Sequence, residues 1–481
     1  MTSSRGALGR DVAVYGLATV LVQIVAFGTT PVYTRLLGPS VYGILELLSV
    51  IVSFVITALF DGLGVASVRL YVTDPPEERP VLLATGLVGT VGATLAGAIV
   101  AGATAHPLAR LVFGTTAAST ALVAAAVYLP IGVAARFGAE VLRMQRRPWP
   151  FLLSSVLVAL VGGGIAIALV AGAGEGAEGV YYGMAIGAVA GLVASLVAAR
   201  GAIALRVSMR HLRRLVALGG PLAISALAGW SLVLVDRLIL VHFVSLRQIG
   251  FYGLANRLAG ILLIATYAFG TAWTPYILGL YAEDPDAEAR IRADVLRHLL
   301  AAMAVIAVAV GLFSREAVRV IAGARYLPAA ATMPTLALAT LFFSTLTVVQ
   351  VPFLIEQRTS QMARLSLAAA AVNIAACFAL IPVWGIQGAA IATVAGFGVQ
   401  AALYYRQAQT LRRAPYDGRR LLAILVLAVP FIAGGWWSGG SLLAAVGVKI
   451  IVLVVFAGLL VVLRLVDVER LKVELQMIWR R

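Results

Sequence analysis

Charged side chains are scarce in this sequence. Asp, Glu, Lys and Arg together make up 12% of the 481 residues, whereas a soluble globular protein carries about 25%. Hydrophobic residues make up 61% of the chain, and its mean hydropathy is +0.99. Too little polar surface remains to cover such a chain in water. The composition therefore points away from a soluble enzyme and indicates a membrane protein.

Cysteine and the signatures of catalysis are also nearly absent. Cys377 is the only cysteine and lies in an apolar run, so the sequence has neither a disulfide framework nor a cysteine metal site. No G-x-x-x-x-G-K-[ST] motif is present, which argues against ATP hydrolysis through a P-loop. No loop is long enough to carry the catalytic residues of a membrane glycosyltransferase. We therefore predict that the protein is not an enzyme and holds no cofactor or metal.

Lysine is rare as well, because arginine supplies 35 of the 37 basic residues. The net charge of +16 can mark a nucleic-acid-binding protein. Here, however, the basic residues lie in loops between apolar runs, as they do beside membranes. We therefore predict no nucleic-acid partner. Lys449 lies inside an apolar run and is predicted to snorkel towards the membrane surface.

Apolar runs of membrane-spanning length are what the sequence has in abundance. They contain about 20 residues each, the length of a transmembrane helix rather than of a barrel strand. Because backbone polar groups in hydrocarbon must pair within the structure, we predict an all-α integral membrane protein with about fourteen spans. The predicted spans cover residues 12–34, 41–68, 81–105, 117–142, 149–173, 179–204, 215–241, 248–281, 299–314, 327–355, 365–381, 385–405, 421–438 and 442–466.

The loops between these spans predict the orientation of the chain. If the N-terminus is cytoplasmic, 27 basic residues fall on the inner side and seven on the outer side. Cytoplasmic loops of membrane proteins carry such an excess of arginine and lysine. We therefore expect both termini in the cytoplasm.

The chain also contains an internal repeat. G-M-A-I-G-A-V-A-G at 183–191 is echoed by G-A-A-I-A-T-V-A-G at 388–396, and the Tyr-Gly pair at 42–43 is echoed at 252–253. A repeat unit of six spans inserts both copies the same way up, as in transporters built from parallel repeats. We predict an N-lobe over residues 1–214, a C-lobe over 215–405, and two further spans with an amphipathic cytoplasmic tail over 406–481.

Three motifs carry a family resemblance. P-V-Y-T-R-L-L-G-P-S-V-Y-G at 31–43, V-D-R-L-I-L at 235–240 and I-G-F-Y-G-L-A-N-R-L at 249–258 resemble the polysaccharide-transporter family. Its members are the O-antigen and exopolysaccharide flippases of the multidrug/oligosaccharidyl-lipid/polysaccharide exporter (MOP) superfamily. The last two spans resemble the extra pair found in peptidoglycan-precursor flippases, where they border a groove for the lipid tail.

The resemblance implies a V-shaped bundle of two pseudo-symmetric six-helix lobes around a central cavity, with two extra helices. It implies that a polyprenyl-diphosphate-linked oligosaccharide, on undecaprenyl diphosphate, moves from the inner to the outer leaflet by alternating access. The expected location is the cytoplasmic membrane of a bacterium or archaeon. Possible partners are a polysaccharide polymerase and glycosyltransferases.

Arginines inside the predicted spans are the first candidates for substrate binding. A charge at the centre of a bilayer disfavours insertion by about 2.5–3.5 kcal/mol, so such a residue usually faces a cavity or a partner. Arg257 lies nine residues into its span, roughly 13 Å deep at 1.5 Å per residue. Its guanidinium can bind a diphosphate through two hydrogen bonds and cannot be neutralised. The alternative is a structural ion pair with another helix.

Arg136 also lies inside a span, and Glu140 follows one turn later. That spacing allows an ion pair within the helix, which would neutralise the arginine or act as a gate. Arg35 and Arg237 end the first helix of each lobe and are predicted counterparts at the outer boundary. They would bind anions at the cavity mouth or snorkel to the interface, and Asp236 favours a local pair with Arg237.

Polar residues elsewhere in the spans are candidates for sugar binding or ion coupling. Glu46 and Asn256 occupy equivalent positions in the two lobes, where they would bind sugar hydroxyls or a cation, or join helices by hydrogen bonds. Asp61 would carry Na⁺ or H⁺ down an ion gradient, or it would pair with Arg69. Trp273 and Pro275 predict a kink that serves as a hinge.

Two other functions fit the same sequence. A multidrug/cation antiporter of the same superfamily would favour acidic residues in its cavity, whereas the deep residue without an acid on its own helix is Arg257. A membrane scaffold that recruits polysaccharide enzymes without transport is the third possibility.

Overall fold

The computed structural model describes residues 2–204, 206–434 and 442–466, and within these ranges all regular structure is helical. The α-helices, numbered along the chain, are α1 (Thr2–Leu36), α2 (Pro39–Ile56), α3 (Val65–Thr73), α4 (Arg79–Ala103), α5 (Ala105–Phe113), α6 (Ser119–Met144), α7 (Pro148–Gly172), α8 (Ala177–Ala198), α9 (Met209–Leu240), α10 (Leu246–Ala259), α11 (Ile261–Glu283), α12 (Pro285–Leu312), α13 (Ser314–Ala322), α14 (Met333–Val349), α15 (Val351–Ile355), α16 (Thr359–Leu411), α17 (Gly418–Ala433) and α18 (Leu442–Val462). A π-helical segment, Thr57–Gly64, joins α2 to α3. The predicted all-α fold class is confirmed.

Local sequence explains where several helices begin. Proline stands in the first turn of α2, α4, α7, α12, α14 and α15, where its missing N–H breaks no helical hydrogen bond. The Asp284 side chain caps α12 by accepting hydrogen bonds from the backbone N–H groups of Asp286 and Ala287, at 3.0 and 2.9 Å. Because α12 begins at Pro285, most of the short predicted span 299–314 is the second half of a longer helix.

Eleven helical segments among the described residues are long and apolar enough to cross a membrane. One of them, Thr359–Leu411, contains two of the predicted spans, 365–381 and 385–405. Gly385 separates them. Its backbone angles are φ 54° and ψ −130°, a conformation that is unfavourable for residues with a Cβ. Predicted span 215–241 corresponds to α9, and predicted span 421–438 begins in α17 and runs beyond the described residues.

The chain divides into two compact units. Unit 1 comprises residues 1–230 and 245–250, and unit 2 comprises 231–244 and 251–481. In unit 1, α7 packs closely on α8 through the first copy of the repeated glycine motif. A Cβ added at Gly187 would lie 2.5 Å from backbone atoms of Gly162, so glycine is required for this approach.

The core of unit 2 is a continuous apolar cluster in which α11, α12, α14, α17 and α18 take part. Trp273, Phe353 and Phe456 are among its largest buried side chains. Helix α12 is buried on more than one side, because it carries apolar side chains on more than one side and packs against several helices. This packing holds the helix ends that carry the polar groups described below.

Candidate functional site

A partly exposed ion pair lies within the predicted spans of unit 1. Nη2 of Arg136, in α6, is 3.5 Å from Oδ1 of Asp61, in the π-helical segment. The guanidinium carbon also lies 4.4 Å from the centre of the Phe60 ring. The Arg136 and Asp61 side chains are 50% and 25% exposed, respectively. Arg136 therefore keeps an open side despite its contact with the carboxylate.

Two pairings suggested by the sequence are wrong. Glu140 does not pair with Arg136 but with Arg143, whose Nη2 and Nε lie 2.6 and 3.0 Å from Oε1 of Glu140. Asp61 pairs with Arg136 rather than with Arg69. A π-helical turn contains an extra residue, which changes the face on which Asp61 lies and brings it to α6.

A second polar group in unit 1 lies on α2, α6 and α8. Oγ of Ser49 is 3.3 Å from the hydroxyl of Tyr181, and the rings of Tyr181 and Tyr128 lie 6.0 Å apart between centroids. Glu46 is half-buried and stands one turn before Ser49 on α2. Hydroxyl and carboxylate groups of this kind can bind sugar hydroxyls.

A second aspartate–arginine pair, in unit 2, is enclosed. Nη1 of Arg237 lies 3.4 Å from Oδ1 of Asp236, and the side chains are only 5% and 3% exposed. The Tyr252 hydroxyl donates a short hydrogen bond to Oδ2 of Asp236 and lies 3.5 Å from Oγ1 of Thr393. The predicted local pair of Asp236 with Arg237 is confirmed. Tyr252 and Thr393 were not among the predicted site residues.

Arg35 and Arg237 therefore have different surroundings, although the sequence predicts that they are counterparts. Arg35 is exposed at the end of α1, whereas Arg237 is buried at the end of α9 and lies over the Tyr252 ring, 5.5 Å from its centre. An anion from solution cannot reach a guanidinium so enclosed without a rearrangement. The suggestion that Arg237 binds anions at an open mouth is not supported.

Asn256 and Arg257 lie beside a break between two helices. Both side chains are half-buried near the end of α10, and α11 begins at Ile261 after Gly260. The backbone N–H of Gly260 donates to the carbonyl of Asn256 at 2.9 Å. The predicted span 248–281 is thus covered by α10 and α11, which continue one another as a single apolar segment of membrane-spanning length, Leu246–Glu283. The sequence predicted a hinge at the proline within α11. The interruption at Gly260, close to Arg257, is a second irregular point in the same segment.

An ion network that the sequence did not predict joins the α3–α4 loop to the start of α9, in unit 1. Nη1 and Nη2 of Arg214 donate to Oδ2 and Oδ1 of Asp74 at 2.9 and 2.8 Å. Glu78 accepts a 3.1 Å contact from Nε2 of His211. The hydrogen bonds from Arg214 lower the pKa of Asp74 below its usual 3.8. His211 and Arg214 lie one turn apart on α9, but Asp74 and Glu78 lie in a loop, so only the first spacing was a signal in the sequence.

The same network contains three groups able to bind a metal. Ligand atoms of Asp74, Glu78 and His211 lie within 4.8 Å of one another. Arg214 already engages both oxygens of Asp74, so a cation bound there would face a guanidinium at short range. These groups therefore fit an ion-pair network between the α3–α4 loop and α9 better than a metal site.

Lys449 corrects another prediction. It does not snorkel to the surface, because it is 2% exposed and its Nζ donates to both carboxylate oxygens of Glu316 at 2.8 Å. Arg292 is likewise buried, with Nε 2.7 Å from Oε1 of Glu288 and Nη1 3.0 Å from the Tyr416 hydroxyl. The Lys449 pair connects α18 to α13, and Arg292 ties α12 to the segment that precedes α17, so both have a structural role.

Solved structures share this fold. Lipid II flippase MurJ in an inward closed conformation matches with a TM-score of 0.76 at 15% identity, over 92% of this chain and 98% of MurJ. An inward-facing multidrug resistance MATE family transporter of the MOP superfamily matches with a TM-score of 0.64 at 14% identity, over 84% and 95% of the two chains. A MATE structure in complex with MaL6 gives a TM-score of 0.58 at 13% identity, over 87% and 96%. The chain thus shares its fold with this flippase and these MATE structures.

Sequence comparison identifies the family. The profile of the polysaccharide biosynthesis protein family matches residues 8–280, which is more than half of the chain. The chain belongs to this family, as the three sequence motifs indicated. A comparison with curated protein sequences found no significant match.

Proposed function

We propose that the protein is a flippase that moves a polyprenyl-diphosphate-linked oligosaccharide from the inner to the outer leaflet, for cell-surface polysaccharide synthesis. The family and the transporter fold support this proposal. The observation that carries it is the open side of Arg136, a permanent cation within a predicted span that is only partly engaged by Asp61.

The barrier to flipping is the passage of the sugar-diphosphate through hydrocarbon. An isolated ionised group transferred to an apolar medium without partners is strongly disfavoured. A hydrated path lined by arginine lowers that barrier, while the prenyl chain stays among the lipid tails. Guanidinium suits the task because it binds phosphate oxygens in pairs and stays charged.

Asp61 gives Arg136 a partner when no substrate is bound. The contact is a single 3.5 Å approach between half-open side chains, and ion pairs of this kind contribute only about 0–1 kcal/mol. A diphosphate carries more charge and more acceptor oxygens than one carboxylate, so it displaces Asp61. In this proposal the π-helical segment presents the carboxylate that is exchanged for substrate.

Other predicted residues take graded roles in the proposal. Arg257, Asn256 and Arg35 are further proposed substrate ligands: Arg257 and Asn256 lie near the end of α10, and Arg35 lies at the exposed end of α1. Arg237 positions Asp236 and Tyr252 instead of touching substrate, because it is buried. Glu140 only fixes Arg143 at the end of α6, so the gate that the sequence suggested for Glu140 with Arg136 is not part of the proposal.

Energy coupling is a separate part of the proposal. Asp61 is the carboxylate that would bind Na⁺ or H⁺ during the cycle, with Glu46 as a second candidate. Asp236, which the sequence also suggested, has both oxygens engaged by Arg237 and Tyr252. The membrane potential, negative inside, also favours outward movement of an anionic headgroup. The distribution of arginine supports cytoplasmic termini, and the family resemblance implies the cytoplasmic membrane of a bacterium or archaeon. Glycosyltransferases and a polymerase would supply and consume the substrate.

Reconstituted vesicles test the proposal. The probe is undecaprenyl diphosphate carrying a fluorescent sugar, and a membrane-impermeant quencher measures how much remains in each leaflet. We expect Arg136→Ala to slow flipping at least tenfold and Arg136→Lys to retain an intermediate rate. Arg143→Ala is the matched control. It removes another arginine from α6, one that pairs with Glu140, and the variant should flip the lipid at the wild-type rate.

Wild-type flipping by both Arg136→Ala and Arg257→Ala would refute the assigned role of arginine. The MATE fold match keeps the antiporter as an alternative. Broad drug resistance on expression in an efflux-deficient host, without flipping in vesicles, would favour it. Polymer export that depends on the protein but not on either arginine would favour the scaffold.

A further inference from the structure

Unit 2 contains a partly open cavity, lined by both polar and apolar side chains, that none of the roles above uses. Its volume is about 380 Å³, within the range of small-molecule sites. The described residues around it come from helix ends and turns: the start of α13, the 324–331 segment, the start of α14, the turn after Gly385 in α16 and the end of α17. The predicted orientation places all of these on the outer side.

The polar side chains lining this cavity belong to Ser314, Arg315, Thr335 and Gln387. Nε2 of Gln387 donates to Oγ1 of Thr335 at 2.6 Å, which fixes the amide and leaves its oxygen as an acceptor. Arg315 is half-buried, so its charge is only partly screened by water. Hydroxyl, amide and guanidinium groups thus face one small volume.

The remaining lining is apolar and small. Leu327, Ala331 and Pro334 contribute to it without adding charge. Apolar patches beside hydroxyl and amide groups suit the two kinds of surface on a sugar ring, and the arginine suits a phosphate or carboxylate on that ring.

We infer that this outer cavity is a binding site for an anionic saccharide, a sugar ring that carries a phosphate or a carboxylate. Arg315 binds the anionic group, and Gln387 with the Ser314 and Thr335 hydroxyls binds the sugar hydroxyls. The inference rests on the proposed function only for the source of the ligand, which would be the saccharide delivered to the outer face. Binding itself does not require flipping.

Cysteine labelling measures occupancy directly. Cys377, the single native cysteine, is fully buried, whereas Ala331 lines the cavity and is exposed. In purified full-length Ala331→Cys protein in nanodiscs, we expect glucose 1-phosphate to slow maleimide labelling at least fivefold. Glucose should need at least a tenfold higher concentration than glucose 1-phosphate to give the same protection, because it lacks the anionic group.

Substitutions in the same background assign the contacts. Arg315→Gln should abolish protection, while Arg319→Gln, an exposed arginine on the same helix that does not line the cavity, should leave it unchanged. Gln387→Glu places a negative charge in the cavity and should also abolish protection with Arg315 intact. Size-exclusion profiles confirm that each variant is folded.

Three results would overturn the inference: no protection by glucose 1-phosphate, protection that survives Arg315→Gln, or equal protection by glycerol 3-phosphate. The last would identify a lipid headgroup phosphate as the occupant rather than a saccharide. Loss of flipping with protection intact would refute only the proposed function, so the two failures are distinguishable.

Discussion

Two aspartate–arginine pairs, one in each unit, differ in what they leave open. Asp61 and Arg136 in unit 1 meet across elements at 3.5 Å and stay 25% and 50% exposed. Asp236 and Arg237 in unit 2 are sequence neighbours, and Tyr252 encloses them further. The same two residue types thus form an exchangeable contact in one unit and a locked one in the other.

The difference shows that charge inside a span does not identify a substrate ligand by itself. A buried pair is stabilised by its mutual attraction only after both ions have lost water. An exposed pair loses little by changing partner. In the proposed function, exposure therefore favours Arg136 over Arg237 as the ligand of the diphosphate.

Removal of one partner from each pair is the strongest test of this contrast. Asp236→Ala leaves a buried guanidinium without its carboxylate, and we expect it to lower the free energy of unfolding by about 3–5 kcal/mol. Asp61→Ala should lower it by only about 0–1 kcal/mol. Thermal unfolding in detergent, followed by tryptophan fluorescence, gives both values.

Replacing both members of the locked pair checks the cause. Asp236→Leu combined with Arg237→Met should recover much of the stability lost in Asp236→Ala, because no unpaired ion remains. Equal losses in Asp61→Ala and Asp236→Ala would remove the distinction between the two pairs.

Helix packing extends the contrast to the repeated motif. Gly187 in α8 corresponds to Ala392 in the second copy, and a Cβ at Gly187 would lie 2.5 Å from Gly162. We expect Gly187→Ala to lower the unfolding free energy by about 1–3 kcal/mol through overpacking. Gly164→Ala in α7 is the control, since a Cβ there meets nothing within 4 Å. Similar unfolding temperatures for the two variants would contradict the close packing of α7 and α8.

The pair of Asp74 with Arg214 is intermediate in exposure between the other two pairs. Its expected effect is the smallest, because it is measured as a change in the pH dependence of stability. The pKa of Asp74 is lowered in the folded state by Arg214, so the unfolded chain binds more protons as the pH falls. Stability from this pair is present above about pH 4, the unfolded pKa, and is lost as the pH falls towards the lowered folded pKa. Unfolding of wild-type and Asp74→Asn protein between pH 6 and 3 should show a shallower loss in the variant. Parallel curves would assign the pair no such role.

Composition and periodicity were sufficient to predict the all-α class, because twenty-residue apolar runs have only one solution in hydrocarbon. The local pair of Asp236 with Arg237 was also predictable, since adjacent residues need no knowledge of the fold. The family motifs led to the correct family, whose profile covers residues 8–280.

The long-range pairs were not predictable from spacing. Asp61 and Arg136 are separated by 75 positions, and their contact depends on a π-helical turn that apolar periodicity does not reveal. Lys449 and Glu316 are 133 positions apart, so the lysine resembled an isolated charge near a membrane surface. Glycines at 62 and 64, beside Asp61, were the local hint of irregular backbone.

The π-helical segment has a mechanical consequence. It holds one residue more per turn than the α-helices on either side, and each α-helical residue turns the chain by about 100°. If the extra residue were absorbed into regular α-helix, α3 would rotate by that angle relative to α2. Asp61 would then swing off the face that meets Arg136, so a change of helical register on one element is enough to undock the carboxylate.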